Sequence, residues 1–108
     1  MPDNGVPPGT LVMLVLRVVQ SGPLHGYAIA QRLRDVSKDV LHVGESSLYP
    51  ALQRLLLDGY VRAEWGASEN NRRARFYSLT KAGRRQLTIE LSKWKRLSAG
   101  VGLVLQRT

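Results

Sequence analysis

The stretch SSLYPALQR, residues 46–54, carries side chains that can recognise a nucleic acid. Hydroxyl, amide and guanidinium groups bond base edges in a DNA groove or phosphate oxygens on the backbone. The candidate contact residues are Ser46, Ser47, Tyr49, Pro50, Gln53 and Arg54. At helical spacing they lie away from an apolar face made by Leu48, Leu52 and Leu55. The pattern therefore indicates a helix that buries one face and offers the other to DNA.

Pro50 lies inside this helical pattern, where a proline normally removes a backbone hydrogen bond. If Ser46 or Ser47 is the N-cap, Pro50 falls in the first turn, whose N–H groups have no intrahelical partner. We therefore expect the helix to start at one of the two serines. Gly59 is suited to the left-handed position that follows a helix, so we expect the helix to close there.

A basic hairpin is predicted next. YVRAEW, residues 60–65, alternates with Val61, Ala63 and Trp65 on one side, and ARFYSL, residues 74–79, is rich in residues that favour strands. Residues 62–85 hold seven basic side chains against two acidic ones, within a net charge of +8. The expected contacts of this hairpin with DNA are Asn70, Asn71, Arg72, Arg73 and Arg75. Such an excess of positive charge favours a polyanionic partner, although a charged loop that is merely solvated is the alternative.

The order of elements predicts the fold class. We expect a first helix over 10–20 with Thr10 as its cap, a second over 26–36 and a third from residue 46 or 47 to Gly59. An extended piece over 40–43 should precede the third helix. The hairpin follows, and Thr80 caps a final helix that reaches about Val104. This is a mainly α protein with a small β-hairpin, a winged helix-turn-helix whose third helix enters the major groove. We divide the chain into a flexible segment 1–9, a DNA-binding domain 10–79 and a C-terminal dimerisation helix 80–108.

Two helices suggest a homodimer. The first helix is apolar almost all round, which requires cover on more than one side. The last would be on the order of 38 Å long, more than so small a domain can bury alone. Its apolar residues recur at spacings of four and three. The predicted dimer contacts are Leu11, Leu14, Val15, Leu87, Leu91, Trp94 and Val101. A central core helix in a monomer is the alternative explanation for the first helix.

Four segments resemble the PadR family of bacterial transcriptional regulators, in order and spacing. They are GPLHGYAIAQRL, SSLYPALQRL, DGYV and NNRRARFYSLTKAGRRQL, and the resemblance runs from about Pro8 to Trp94. It implies a homodimeric winged-helix repressor of the smaller subgroup, bound to a palindromic double-stranded operator. His25 and Tyr27 match the start of the family's second helix, where phosphate is met. Leu56 and Leu57 depart from the family, which often has acidic residues there.

The resemblance also implies an effector site. In some small members of the family, a tryptophan on the final helix stacks flat aromatic ligands across a pore in the dimer. Trp94 matches that position, with Met13, Arg17 and Leu91 as expected neighbours. The expected function is thus a repressor relieved by a planar aromatic molecule. A tryptophan that only fills the dimer core is the alternative reading of Trp94.

Other classes of function find little support in the sequence. His25 and His42 are the two histidines, no cysteine is present, and no catalytic set or metal-ligand cluster accompanies them. We therefore expect no enzyme activity, metal or cofactor. The apolar run over 11–19 is too short to span a bilayer, and no signal peptide is evident, so we expect a cytoplasmic protein with no membrane partner. A winged helix that binds another protein is the main rival, although the polar third helix favours DNA.

Overall fold

The computed structural model describes residues 5–107, which form four helices and a three-stranded antiparallel sheet. The elements are α1 (Pro8–Val19), β1 (Leu24–His25), α2 (Gly26–Val36), α3 (Glu45–Leu57), β2 (Val61–Ala67), β3 (Arg73–Leu79) and α4 (Lys81–Arg107). The predicted class, a mainly α winged helix-turn-helix with a long last helix, is confirmed. The hairpin of β2 and β3, with the turn 68–72 between them, is called the wing below.

Helix α1 begins earlier than predicted. Pro8 is its first residue and Pro7 its N-cap, so Thr10 lies inside the helix and is not the cap. A proline suits the first helical position because its fixed φ is already helical and its missing N–H would have no partner there. Pro8 and Gly9 therefore belong to α1 and not to the predicted flexible segment. Residues 1–4 of that segment lie outside the described part of the chain.

Helix α3 also begins earlier than predicted, while its end is as expected. Gly44 is the N-cap, and its carbonyl accepts the N–H of Leu48 at 3.0 Å. Counted from Glu45, Pro50 is the sixth helical residue, so it lies in the second turn and denies a partner to the carbonyl one turn upstream. At the other end Gly59 has φ +74°, and its N–H reaches the Leu56 carbonyl at 3.1 Å. The predicted left-handed glycine closure is confirmed.

The sheet has the order β1-β3-β2. The short strand β1 pairs with β3 through Leu24 opposite Tyr77 and His25 opposite Phe76. A strand of two residues has no alternation to detect, which is why the sequence does not predict it. The predicted extended piece over 40–43 contains no strand. The third strand ties the root of the wing to the start of α2.

The hydrophobic core is formed within a single chain. Helix α1 packs against α2, α3, α4 and β3, and its residues Leu11 and Val15 are 1% and 0% exposed. Leu87, near the start of α4, is buried in the same cluster. Side chains so deeply buried in one chain leave almost no surface for a second subunit, so Leu11, Val15 and Leu87 are not among the dimer contacts that we propose below. Most of the apolar character of α1 is explained by this core.

The beginning of α4 is fastened to the end of α3. Thr80 is the predicted N-cap, since its Oγ1 accepts the N–H of Gly83 at 3.0 Å and donates to the Gly59 carbonyl at 2.7 Å. Gly83 itself lies against the Tyr60 carbonyl, where no side chain fits. Beyond the half-buried Leu91, residues 92–107 are all exposed. Among the described residues, no helix is long and apolar enough to cross a membrane.

Candidate nucleic-acid interface

The outer face of α3 is a polar stripe. Five of the six predicted contact residues on this helix are exposed, namely Ser46, Tyr49, Pro50, Gln53 and Arg54. Ser47 is half-buried, on the side where α3 borders a groove of about 670 Å³ shared with α1 and α4. Leu57 continues the stripe at the far end and is 84% exposed. The stripe therefore joins hydroxyl, amide and guanidinium groups to an apolar tip.

Arg54 is partly engaged within its own helix. Its Nε lies 3.6 Å from Oδ2 of Asp58, one turn further along. Both side chains are well exposed, and such pairs are worth at most about 1 kcal/mol. A phosphate can therefore displace Asp58 from the guanidinium at little cost.

The start of α2 lies beside the start of α3. Tyr49 lies beside Gly26, close enough that a methyl group at residue 26 would be in van der Waals contact with the tyrosine ring. Tyr27 projects outward and is 73% exposed. Gly26, Tyr27 and Tyr49 line a cleft of about 420 Å³ with Arg34 and His42. The amino ends of two helices, which attract anions, thus meet around this cleft.

His25 lies inside the fold and not on its surface. It is the N-cap of α2, and its Nδ1 accepts the N–H of Ala28 at 3.1 Å. Its ring is 8% exposed and meets the ring of Phe76 edge-on, with centroids 5.3 Å apart. The imidazole is already occupied in capping α2 and packing on the sheet, so His25 is not among the DNA contacts that we propose below.

The tip of the wing is a tight turn. The N–H of Ser68 donates to the Arg72 carbonyl, and the N–H of Asn71 donates to the Ser68 carbonyl, each at 2.8 Å. Asn71 has φ +57°, the left-handed conformation expected for this pair of asparagines. Asn70 and Arg72 are exposed at this turn, as are Arg73 and Arg75 on β3. The predicted basic tip thus consists of side chains that face solvent.

Trp65 is a wing residue whose exposure does not follow from the alternation of its strand. It shares a face of the sheet with the buried Val61, but it is 61% exposed because β2 extends beyond the helical core. The guanidinium of Arg73 lies over its ring, 4.4 Å from the centroid. Strand alternation assigns a side chain to a face and not to a distance from the core. The arginines on the opposite strand, Arg73 and Arg75, were the sequence signal for exposure, because charged side chains rarely border a buried ring.

The three surfaces are contiguous. Tyr49 of α3 touches the start of α2 at Gly26. The next residue back, His25, has its Nε2 3.8 Å from Oε2 of Glu69 in the wing turn. These two contacts join the amino end of α3, the amino end of α2 and the wing into one face. That face carries the polar stripe together with the arginines of the wing.

The residues predicted for an effector and for the remaining dimer contacts lie away from this face. Trp94 is 44% exposed on α4, and Leu91 and Leu14 are half-buried. Arg17 is exposed and donates to Gln20. Met13 is buried, which leaves little of its side chain for a ligand. The exposed part of α4 adds an apolar row made of Trp94, Leu97, Val101, Val104 and Leu105.

Comparison with known proteins identifies the class. The chain matches the model of the transcriptional regulator PadR-like family over residues 15–89, and it belongs to that family. It is 44% identical over 89 residues to an uncharacterized 37.1 kDa protein in transposon TN4556 of Streptomyces fradiae. That match covers 82% of this chain but only 24% of the larger protein.

Solved structures agree with the family. A PadR family transcriptional regulator from Eggerthella lenta superposes with a TM-score of 0.78 at 33% identity, covering 93% of this chain and 85% of the other. The protein smu.1704 from Streptococcus mutans gives a TM-score of 0.82 at 26% identity, covering 94% and 91% of the two chains. The protein is thus a PadR-type transcriptional regulator with a winged-helix fold.

Proposed function

We propose that the protein is a homodimeric repressor that binds a specific double-stranded DNA operator. The observation that supports this best is the contiguous face on which the exposed stripe of α3 adjoins the arginines of the wing. In this arrangement Tyr49 and Gln53 read base edges in the major groove, while Ser46 and Pro50 border its entrance. The amino ends of α2 and α3 attract phosphate.

The wing supplies contacts that position the protein without reading sequence. Arg72, Arg73 and Arg75 reach the phosphate backbone or the adjacent minor groove, and Asn70 and Asn71 shape the turn that carries them. Tyr27, exposed at the start of α2, donates its hydroxyl to a phosphate on the other side of α3. Arg54 joins this set when it leaves Asp58.

A second copy of the chain covers the apolar row on α4. Leu97, Val101 and Val104 are each about half exposed or more in the single chain, which is costly for a helix in water. Leu91, which precedes Trp94 by about one helical turn, and Leu14 of α1 are proposed as further contacts of the dimer. Two-fold pairing gives a palindromic operator whose half-sites are about one helical turn apart, roughly 34 Å.

Trp94 is proposed as the effector site of the dimer. A half-exposed indole offers a flat face on which a planar aromatic molecule can stack. Arg17 and Leu91 are the remaining candidate neighbours. Binding there releases DNA by changing the spacing of the two α3 helices. Because the chain has no cysteine, a reducing cytoplasm suits it.

A selection from random DNA tests this function. We expect the purified protein to enrich an inverted repeat whose half-sites match the dimer spacing. Enrichment of no common sequence would contradict an operator-specific regulator. It would favour the rival proposal, a winged helix that binds another protein, for which the exposed Leu57 is the supporting observation.

A further inference from the structure

His25 has one ring nitrogen that its structural role leaves unused. Because Nδ1 accepts the Ala28 N–H, the neutral ring carries its proton on Nε2. Nε2 is buried and has no hydrogen-bond partner among the described residues. Buried donors without a partner are rare and destabilising, so such a group calls for an explanation.

The nearest acceptor comes from the wing. Oε2 of Glu69 lies 3.8 Å from Nε2, while the rest of the Glu69 side chain is largely exposed. A hydrogen bond between these atoms would be about 2.9 Å long, and a rotation of the exposed Glu69 side chain can bring the carboxylate to that distance. Glu69 is the one acidic residue in the turn 68–72, whose other residues are a serine, two asparagines and one arginine. Its carboxylate lies close to the one buried side-chain donor that lacks a partner among residues 5–107.

His25 also stands where three elements meet. It caps α2, it pairs with Phe76 through β1, and its ring packs against the ring of Phe76. A bond from its Nε2 to the turn would therefore connect the tip of the wing to the start of α2. Such a bond would attach the tip of the wing to the domain in addition to the root of the hairpin.

We propose that His25 and Glu69 form a latch that fixes the wing against the start of α2, and that the latch serves specific binding to DNA. This inference rests on the proposed function. A loose wing still finds phosphates on any sequence, because the backbone is uniform. Specific binding requires the wing and α3 to contact the operator at the same time in fixed positions. A loose wing must therefore lose conformational entropy when it binds the operator, which lowers the affinity for that sequence. Glu69 is thus a positioning residue that acts through His25.

The sharpest test compares E69A with E64A, because glutamine at residue 69 would keep an oxygen that accepts from Nε2. Each variant removes one carboxylate from the wing, and the loss of negative charge alone tightens binding to every DNA sequence. Glu64 is exposed on β2 and has no ion-pair partner among residues 5–107, which makes it the matched control. We expect E69A to lower the ratio of operator to scrambled-DNA affinity by about three- to fivefold, the scale of one hydrogen bond. We expect E64A to leave the ratio unchanged.

A substitution at His25 separates the latch from the cap. Asparagine is a good N-cap, so H25N keeps the bond to Ala28 but has no atom at the place of Nε2. The affinity ratio should fall as in E69A, and adding E69A to H25N should lower it no further. Equal ratios for E69A and E64A would overturn the latch alone. A wild-type protein that binds operator and scrambled DNA equally would overturn the proposed function, and the latch with it.

Discussion

The guanidinium of Arg73 lies over the indole ring of Trp65, 4.4 Å from the ring centroid, on the exposed half of the wing. Such a cation–π contact at a solvent-exposed site is worth about 0.5–1 kcal/mol. Arg73 is therefore ordered before DNA arrives, whereas Arg72 extends from the turn without such a support. We therefore expect the two neighbouring arginines to contribute differently to DNA binding, and single substitutions can measure each contribution.

Replacing Arg72 and Arg73 together by alanine should weaken binding to all DNA sequences. Each lost phosphate contact should reduce the slope of log affinity against log salt by about 0.9. The measurement is a titration of operator and scrambled DNA at several salt concentrations. A slope equal to that of the wild type would remove these arginines from the contacts with phosphate.

Replacing Trp65 by alanine should reproduce part of the loss of DNA affinity that we expect for R73A. Without the ring, Arg73 must be ordered on binding, and we expect about two- to fivefold weaker binding to any DNA. The effect of W65A should vanish in an R73A background, because the two side chains act as one unit. Fully additive losses in this double-mutant cycle would show that Trp65 acts independently of Arg73.

Gly83 should not tolerate a side chain. A methyl group there would overlap the Tyr60 carbonyl, so G83A must move α4 away from the end of α3. We expect a loss of about 1–3 kcal/mol in the free energy of unfolding. The control is G102A, since a methyl group at Gly102 meets open space and should raise helix stability. Thermal unfolding of both variants measures the difference, and equal melting temperatures would contradict the contact.

Replacing Trp94 by alanine separates ligand binding from dimerisation. If the indole is a stacking platform, W94A should lose the quenching caused by planar aromatic molecules and should remain a dimer by light scattering. Trp65 supplies the residual fluorescence and serves as the internal reference. A monomeric W94A would instead assign the tryptophan to the dimer core.

The sequence predicts elements well where local chemistry determines them. Helix α2 has the predicted bounds, and Gly59 and Thr80 have the predicted terminal roles, because each depends on residues close in the chain. The starts of α1 and α3 were misplaced because a better-looking cap, Thr10 or a serine, lay just inside each helix. The earlier starts also have local reasons, since proline suits the first helical position of α1 and glycine is an accepted N-cap for α3.

The burial of individual side chains could not be predicted, because it depends on how far each residue lies from the other elements of the fold. Leu11 and Leu91 are both apolar residues in helical patterns, yet the first is buried in the chain's own core and the second only half-buried. Trp65 and Val61 share a strand face but not an environment. His25 looked like a phosphate ligand, although its burial becomes evident only when β1 pairs with β3. Hydrophobic periodicity indicates which face of an element a residue lies on but not how deeply that residue is buried.

Binding of the purified protein to the DNA upstream of its own gene, against scrambled DNA across a salt series, tests the central claim most directly. A dimer that holds about eight phosphates should give a log–log slope near −7. The upstream DNA should bind at least ~1000-fold more tightly than the scrambled sequence. Absence of binding to either DNA at low salt would contradict a role as a DNA-binding regulator.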